Sequence, residues 1–278
     1  LLELAGSLEK ATGYEDISLS SLSSGDYTCL AELIRALFKR FEKQRVSISL
    51  PSLRIDSFSI DLAHKMQQVR KSGLTFAPEA GTQRLRDVIN KGITEDNIFT
   101  GAGNAFRCGW NKVKLYFMLG LPTETEADIR GIAELAEQIA ELYYDTVPRE
   151  QRKGKIQITV STSFFVPKPF TPFQWEPMYS QDVYLEKAAF LNETIKGKLN
   201  KKSIRYNWHD AKTSVIEGLL ARGDRRVGKV IENVYDAGGI FDAWTDYFDY
   251  DRWIKACEDA DISLDFYVFR RRELEELL

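Results

Sequence analysis

Leu30, Leu33, Ile34, Leu37, Phe38 and Phe41 recur at steps of three and four, so one continuous apolar stripe predicts a helix across this stretch. Ahead of it, Ile17-Ser18-Leu19-Ser20-Ser21-Leu22 predicts a strand, and Ser24-Gly25-Asp26 a turn. The pairing then repeats. Strands are predicted near 15–22, 45–50, 73–76, 111–119 and 155–165. Between them, Leu62, Met66 and Val69 mark a helix over 60–71, and two helical pieces follow at 82–90 and 94–108. The second of these opens on Thr94-Glu95-Asp96, an N-cap residue with an acidic first turn. Ile129, Ile132, Leu135, Ile139 and Leu142 place another helix over 124–144. Strand, helix, strand, repeated, predicts an α/β fold with a parallel sheet and right-handed crossovers. The pattern does not separate an open sheet from a barrel.

Beyond Pro177 the texture changes. Helices are predicted at 179–199, 210–221, 224–236 and 249–260, with a short apolar run at 203–208 and breaks at Gly223 and Gly238-Gly239. Residues 1–177 therefore read as an α/β unit and 178–278 as a mixed, mostly helical extension.

Composition narrows the class. The 278 residues are 44% hydrophobic and 28% charged, which excludes collagen-like, disordered and disulfide-scaffold chains. Thirty-eight basic against 41 acidic side chains give a net charge of -3, so no bulk attraction to nucleic acid or anionic lipid is expected. Cys29, Cys108 and Cys257 are dispersed and lack metal-ligand spacing, which reads as reduced thiols in a cytoplasmic protein. The most apolar run, Tyr116 to Pro122, is far below the roughly 20 residues of a membrane span. A first residue Leu1, rather than Met, suggests a piece of a longer chain.

In parallel α/β folds chemistry collects at the carboxyl ends of the strands. Here those ends carry Ser23-Ser24-Gly25-Asp26, Pro51-Ser52-Leu53-Arg54, Ala77-Pro78-Glu79-Ala80-Gly81-Thr82, Gly120-Leu121-Pro122-Thr123-Glu124 and Val166-Pro167-Lys168-Pro169. They supply a cation (Arg54), a carboxylate (Glu79) and glycines that admit close backbone approach. Such a rim suits a zwitterionic, ribose-bearing ligand without identifying one.

Ser-Leu-Ser-Ser-Gly-Asp-Tyr at 21–27, Phe-Ala-Pro-Glu-Ala-Gly-Thr-Gln-Arg-Leu-Arg at 76–86 and Phe-Met-Leu-Gly-Leu-Pro-Thr-Glu-Thr-Glu at 117–126 resemble later strands of a radical S-adenosylmethionine (SAM) barrel. Ser-Leu-Pro-Ser-Leu-Arg at 49–54 and Phe-Val-Pro-Lys-Pro-Phe-Thr-Pro-Phe-Gln-Trp at 165–175 are similar to the subgroup with a cobalamin-binding-type domain ahead of the barrel. The resemblance implies an incomplete parallel (β/α) barrel, five strands of which are present, with a C-terminal extension. It implies a fragment of an enzyme that, when whole, cleaves SAM reductively at a [4Fe–4S] cluster to a 5′-deoxyadenosyl radical acting on an unknown substrate. The family's Cys-x3-Cys-x2-Cys cluster loop has no match here, so the cluster ligands are expected upstream and the fragment alone is expected to be inactive. Cobalamin in the full-length protein stays open, as does the choice between oxidoreductase and transferase. An electron donor such as a flavodoxin or ferredoxin would be a partner.

By the same resemblance, Ser23, Ser24, Gly25 and Asp26 would border the methionine amino group, in a turn that usually reads Gly-Gly-Glu. Arg54 would meet the methionine carboxylate and Glu79 the ribose or amino group. Gly120 would lie against adenine, with Val166 packing beside it.

Plainer readings compete. Glu79 could cap the helix starting near Thr82, and Arg54 could be a surface arginine. His209 reads as a structural histidine at a helix start before an acid–base or metal residue. Arg222, Arg225, Arg226 and Lys229 read as a solvated, salt-bridged face before an RNA contact. Trp244, Tyr247, Phe248, Tyr250 and Trp253 are expected in a core or interdomain contact. Two rivals to the radical enzyme remain: a non-enzymatic α/β binding or assembly module, and a non-radical lyase or transferase using Glu79 as base.

Overall fold

The computed structural model describes residues 1–19, 27–44, 46–49 and 74–274. The expected helix at 60–71, the turn Ser23–Asp26 and Arg54 lie outside the described residues. The chain divides into two compact units, one of Leu1–Phe117, Arg130–Ser161 and Thr194–Tyr206, the other of Met118–Ile129, Thr162–Glu193 and Asn207–Leu278.

The first unit opens with α1 (Leu2–Thr12), which ends at Gly13 in the left-handed conformation. Strand β1 (Asp16–Ser18) pairs in parallel with β2 (Ser47–Ser49), Ile17 opposite Ile48. Between them runs α2 (Leu30–Phe41), whose apolar stripe buries Ile34, Leu37 and Phe41. Ala5, Leu37, Phe41, Val46 and Ile48 form one core, flanked by Leu2, Ile17 and Leu33. Removing those side chains from water stabilises this part by about 25 cal/mol per Å² of apolar surface.

Strand β3 (Leu74–Glu79) pairs in parallel with β4 (Lys112–Leu119): Leu74 faces Val113 and Phe76 faces Leu115. The connection carries α3 (Gln83–Val88) and α4 (Glu95–Arg107). Thr94 caps α4 in a reciprocal capping box with Asn97, as the acidic start predicted. Helix α5 (Glu126–Thr146) buries Ile132, Leu135, Ile139 and Tyr143 within this unit.

Strand β5 (Gln157–Phe164) follows, then α6 (Gln181–Lys196) and β6 (Ile204–Trp208), and the sheet order is β3-β4-β5-β6. Gln157 N–H donates to Asn111 O and Phe165 N–H to Leu119 O, stepping equally along both chains as parallel strands do. The expected α/β class with a parallel sheet and a helical C-terminal part holds. Strand β6 is the difference, because 203–208 reads only as a short apolar run in the extension. Ile204 alone is buried in it, so an edge position leaves little hydrophobic pattern to read.

In the second unit, α7 (Ala211–Arg222), α8 (Val227–Asp236) and α9 (Tyr250–Asp259) bury Val215, Leu219, Val230, Val234 and Ala256. Asp210 caps α7 by accepting the Thr213 N–H at 2.8 Å. Trp253 is buried as expected, but Trp244 is 68% exposed and Tyr247 61%, so these two are not core residues. They sit in hydrogen-bonded turns between α8 and α9, where few surrounding residues cover them.

Candidate functional site

Within the first unit, β3 ends on Glu79, whose φ of 68° lies in the left-handed region. A residue with a Cβ is held there at a cost of about 1–2 kcal/mol. Its Oε1 accepts from Lys91 Nζ at 3.0 Å, and both side chains stay about a quarter exposed, within reach of solvent. Glu79 does not cap α3. Thr82 does, its Oγ1 accepting the Leu85 N–H at 3.3 Å.

The turn behind Glu79 is held from two sides. The wholly buried guanidinium of Arg86 donates to Ala80 O at 3.0 Å, to Gln83 Oε1 at 3.2 Å and to Glu95 Oε1 at 3.2 Å. Burial pulls its pKa down from the usual arginine value, while Glu95 pulls it back. From the other side, α5 comes so close that a Cβ on Gly131 would stand 3.0 Å from the Gly81 carbonyl carbon. Arg86 and Gly131 are positioning residues that local sequence pattern did not single out.

Within the second unit, Phe165 N–H donates to Leu119 O; Gly120 lies one residue past the end of β4 and Val166 two residues past the end of β5. Gly120 has a φ of 83° and donates its N–H to both oxygens of Glu124, at 3.1 and 3.0 Å. The Glu124 side chain is only 1% exposed, and its Oε1 also accepts from Lys187 Nζ at 2.8 Å. Burial holds the Glu124 carboxyl above its ordinary range, opposed by the Lys187 ammonium and the Gly120 N–H. Lys187 also lies 5.0 Å from the Tyr179 ring centroid.

Tyr184 completes this corner. Its hydroxyl donates to Phe165 O at 2.8 Å and accepts the Tyr179 N–H at 3.3 Å, and burial pushes the phenol pKa up. A Cβ on Gly120 would meet Tyr184 Cε1 at 2.5 Å, so here the tyrosine ring demands glycine. Glu124 was within sight of the sequence, four residues beyond Gly120 in the same strand-end segment. Tyr184 and Lys187 were not, standing about 60 residues away along the chain.

Of the predicted residues, Gly120 and Val166 follow the neighbouring strands β4 and β5, and Glu79 ends β3 in the first unit. His209 is exposed and its backbone N–H donates to Thr162 O at 3.0 Å, as a strand-end residue does. The basic cluster is dispersed in its contacts: Arg222 is buried and donates to Glu176 O, Arg226 pairs with Asp224 at 2.6 Å, and Lys229 pairs with Glu232 at 3.1 Å. Burial and the neighbouring Arg272 and Arg270 pull the Arg222 pKa down to about 10.

No group of three or more His, Cys, Asp or Glu among the described residues is placed to hold a metal ion. Cys29 is exposed, whereas Cys108 and Cys257 are buried, and burial pushes the Cys257 thiol up to about 11. The described residues therefore do not fit a [4Fe–4S] cluster, which needs thiolates gathered at one place. No described helix is long and apolar enough to cross a membrane.

Residues 1–136 match the family model of the Radical SAM superfamily. Over 236 residues, 84% of its length, the chain is 34% identical to the uncharacterized protein MJ0966 of Methanocaldococcus jannaschii. It spans about half of that relative, 47% of its length.

Proposed function

We propose, from the match of residues 1–136 to the Radical SAM superfamily, that this chain is part of a radical SAM enzyme and that its strand ends bind S-adenosylmethionine. The match is the observation that carries the reading; the strand-end geometry supports it. Glu79 is kept in a conformation that glycine would occupy without strain, with its carboxylate solvent-accessible and Lys91 as its one cation among the described residues. Strain retained at a strand end is a mark of a functional residue. In this reading Glu79 accepts hydrogen bonds from the ribose hydroxyls or the methionine ammonium. Gly120 and Val166 line the adenine side, behind which Glu124, Lys187 and Tyr184 hold the chain in place. Ser23, Ser24, Gly25 and Asp26 would bound the amino group and Arg54 the carboxylate.

The superfamily's [4Fe–4S] cluster supplies the electron for SAM cleavage, and residues other than those described would hold it. This chain's own residues would contribute hydrogen bonds and packing surfaces that orient the ligand. An electron donor such as a flavodoxin or ferredoxin would serve the whole protein.

Calorimetric titration of the full-length protein with SAM tests this. Saturable binding is expected, and Glu79→Ala should weaken it by about 10- to 150-fold, the worth of one hydrogen bond to a charged group. Wild-type protein that takes up no SAM at millimolar concentration overturns the reading. If wild type and Glu79→Ala bind alike, Glu79 leaves the site.

A further inference from the structure

The segment Val230–Asp251 contains Glu232, Asp236, Asp242, Asp246, Asp249 and Asp251 and no Lys, Arg or His. The same segment presents Ile240, Phe241, Trp244 and Tyr247, each 58–68% exposed, in the turns between α8 and α9. Large apolar side chains bunched this densely on a surface mark a contact face rather than chance exposure.

These turns are built, not loose. Trp244 N–H donates to Phe241 O at 2.9 Å, Tyr247 N–H to Trp244 O at 2.9 Å and Phe248 N–H to Trp244 O at 3.0 Å. The Phe241 and Tyr247 rings meet edge to face at 5.7 Å. Asp242 ties the turns to α9, accepting from Trp253 Nε1 at 2.9 Å and pairing with Arg252 at 3.5 Å. At their foot opens a cleft of about 560 Å³, walled by Ile216, Leu220, Phe248 and Trp253, with Glu217 and Asp242 as its carboxylates.

The charge of this face selects its occupant. The cations that reach it are engaged: Lys168 with Glu217, Lys229 with Glu232, Arg252 with Asp242 and Asp249, and Lys212 over the Tyr250 ring. Asp236, Asp246 and Asp251 are exposed and have no ion pair among the described residues. With Glu217 and Asp242 of the cleft already paired, the unneutralised Asp236, Asp246 and Asp251 make this aromatic face repel nucleic acid and acidic proteins and attract a basic apolar segment. We propose that the Val230–Asp251 face and the cleft beneath it dock a protein partner through a basic amphipathic helix, its apolar side in the cleft and its Lys or Arg residues against Asp236, Asp246 and Asp251. The mode is helix-in-groove recognition, with Trp244 as the aromatic anchor. This docking stands whether or not the strand ends bind SAM.

The test uses the whole chain and a labelled peptide of about 18 residues, five helical turns, patterned with Leu on one side and Lys on the other. Anisotropy and tryptophan emission should report micromolar binding that weakens as salt is raised. Trp244→Ala should weaken it about tenfold, as loss of a hot-spot aromatic does. Reversing Asp236, Asp246 and Asp251 to Lys together should do the same and flatten the salt dependence. Both variants change exposed residues and should melt like wild type. The inference is overturned if the peptide does not bind at 1 mM (on the order of the weakest specific contacts), or if Trp244→Ala binds it equally. It is also overturned if a Glu-for-Lys peptide or a single-stranded RNA binds as well. Self-association in sedimentation that Trp244→Ala abolishes would assign the face to a second copy of the chain and would likewise overturn it.

Discussion

Lys187 Nζ lies 2.8 Å from Oε1 of Glu124, and the same carboxylate takes the Gly120 N–H on both of its oxygens. One ion pair thus ties α6 to the turn that follows β4. The Glu124 side chain is 1% exposed, so it depends on that cation in a way a surface carboxylate would not.

Lys187→Met should destabilise the protein by about 3 kcal/mol, because it leaves a buried carboxylate without its counter-charge. Adding Glu124→Gln to Lys187→Met should recover at least half of the loss, since the uncompensated charge is then gone. Urea melts of the two single variants and the double variant measure the coupling, and a purely additive result would show that the pair contributes nothing.

The pH dependence of this corner has a definite sign. The folded-state pKa of Glu124 is raised above 4.5, chiefly by burial, so the protonated carboxyl is the form that folding favours. That contribution is fully present below the unfolded value and is lost as pH rises through the raised one. Relative to Glu124→Gln, wild type should therefore hold a constant stability difference below about pH 4 and lose ground as pH climbs toward 7. Denaturant melts across that range should show the slope; the opposite slope would mean that Lys187 outweighs burial.

Glu79 and Thr82 separate function from capping. Thr82→Ala should cost about 0.5–2 kcal/mol of stability, through loss of the α3 cap, and leave SAM affinity unchanged. Glu79→Gly should do the reverse. It relieves a backbone held at a φ of 68° and gives up only a partly exposed pair with Lys91, so it should melt at or above wild type. SAM affinity should fall in that variant as in Glu79→Ala. Thermal melts beside SAM titrations of both variants distinguish the two roles.

Gly131→Ala should destabilise by about 1–3 kcal/mol, although alanine is the better helix former by about 1 kcal/mol. The added Cβ would stand 2.8 Å from Thr82 Cγ2 and 3.0 Å from the Gly81 carbonyl, pushing α5 off the turn that follows Glu79. A melt equal to or above wild type would show that the turn yields freely.

Much of the fold can be read from short-range pattern, because helix and strand periodicity records burial within a few residues of itself. The stripe from Leu30 to Phe41 and the alternation through Lys112–Leu119 both surface as elements with the expected buried faces. Thr94 caps its helix as its neighbours imply. Glu79 and Gly120 could be singled out for a similar reason, since strand ends are marked locally by the turn residues after them. Local signals fail where burial is slight or comes from afar. Strand β6 has one buried residue and so almost no pattern, and Trp244 reads as a core residue until its turn is seen to face water.

Composition, periodicity and turn chemistry alone determined the α/β class and the strands β3, β4 and β5 of this protein, but not β6. Only the tertiary structure decided that Glu124 is buried, that Lys187 and Tyr184 come to it from about 60 residues away along the chain, and that the acidic aromatic turns stay uncovered. Those outcomes depend on which distant surfaces close over one another, and a carboxylate's burial or an indole's exposure is a property of that closure rather than of its neighbours in the chain.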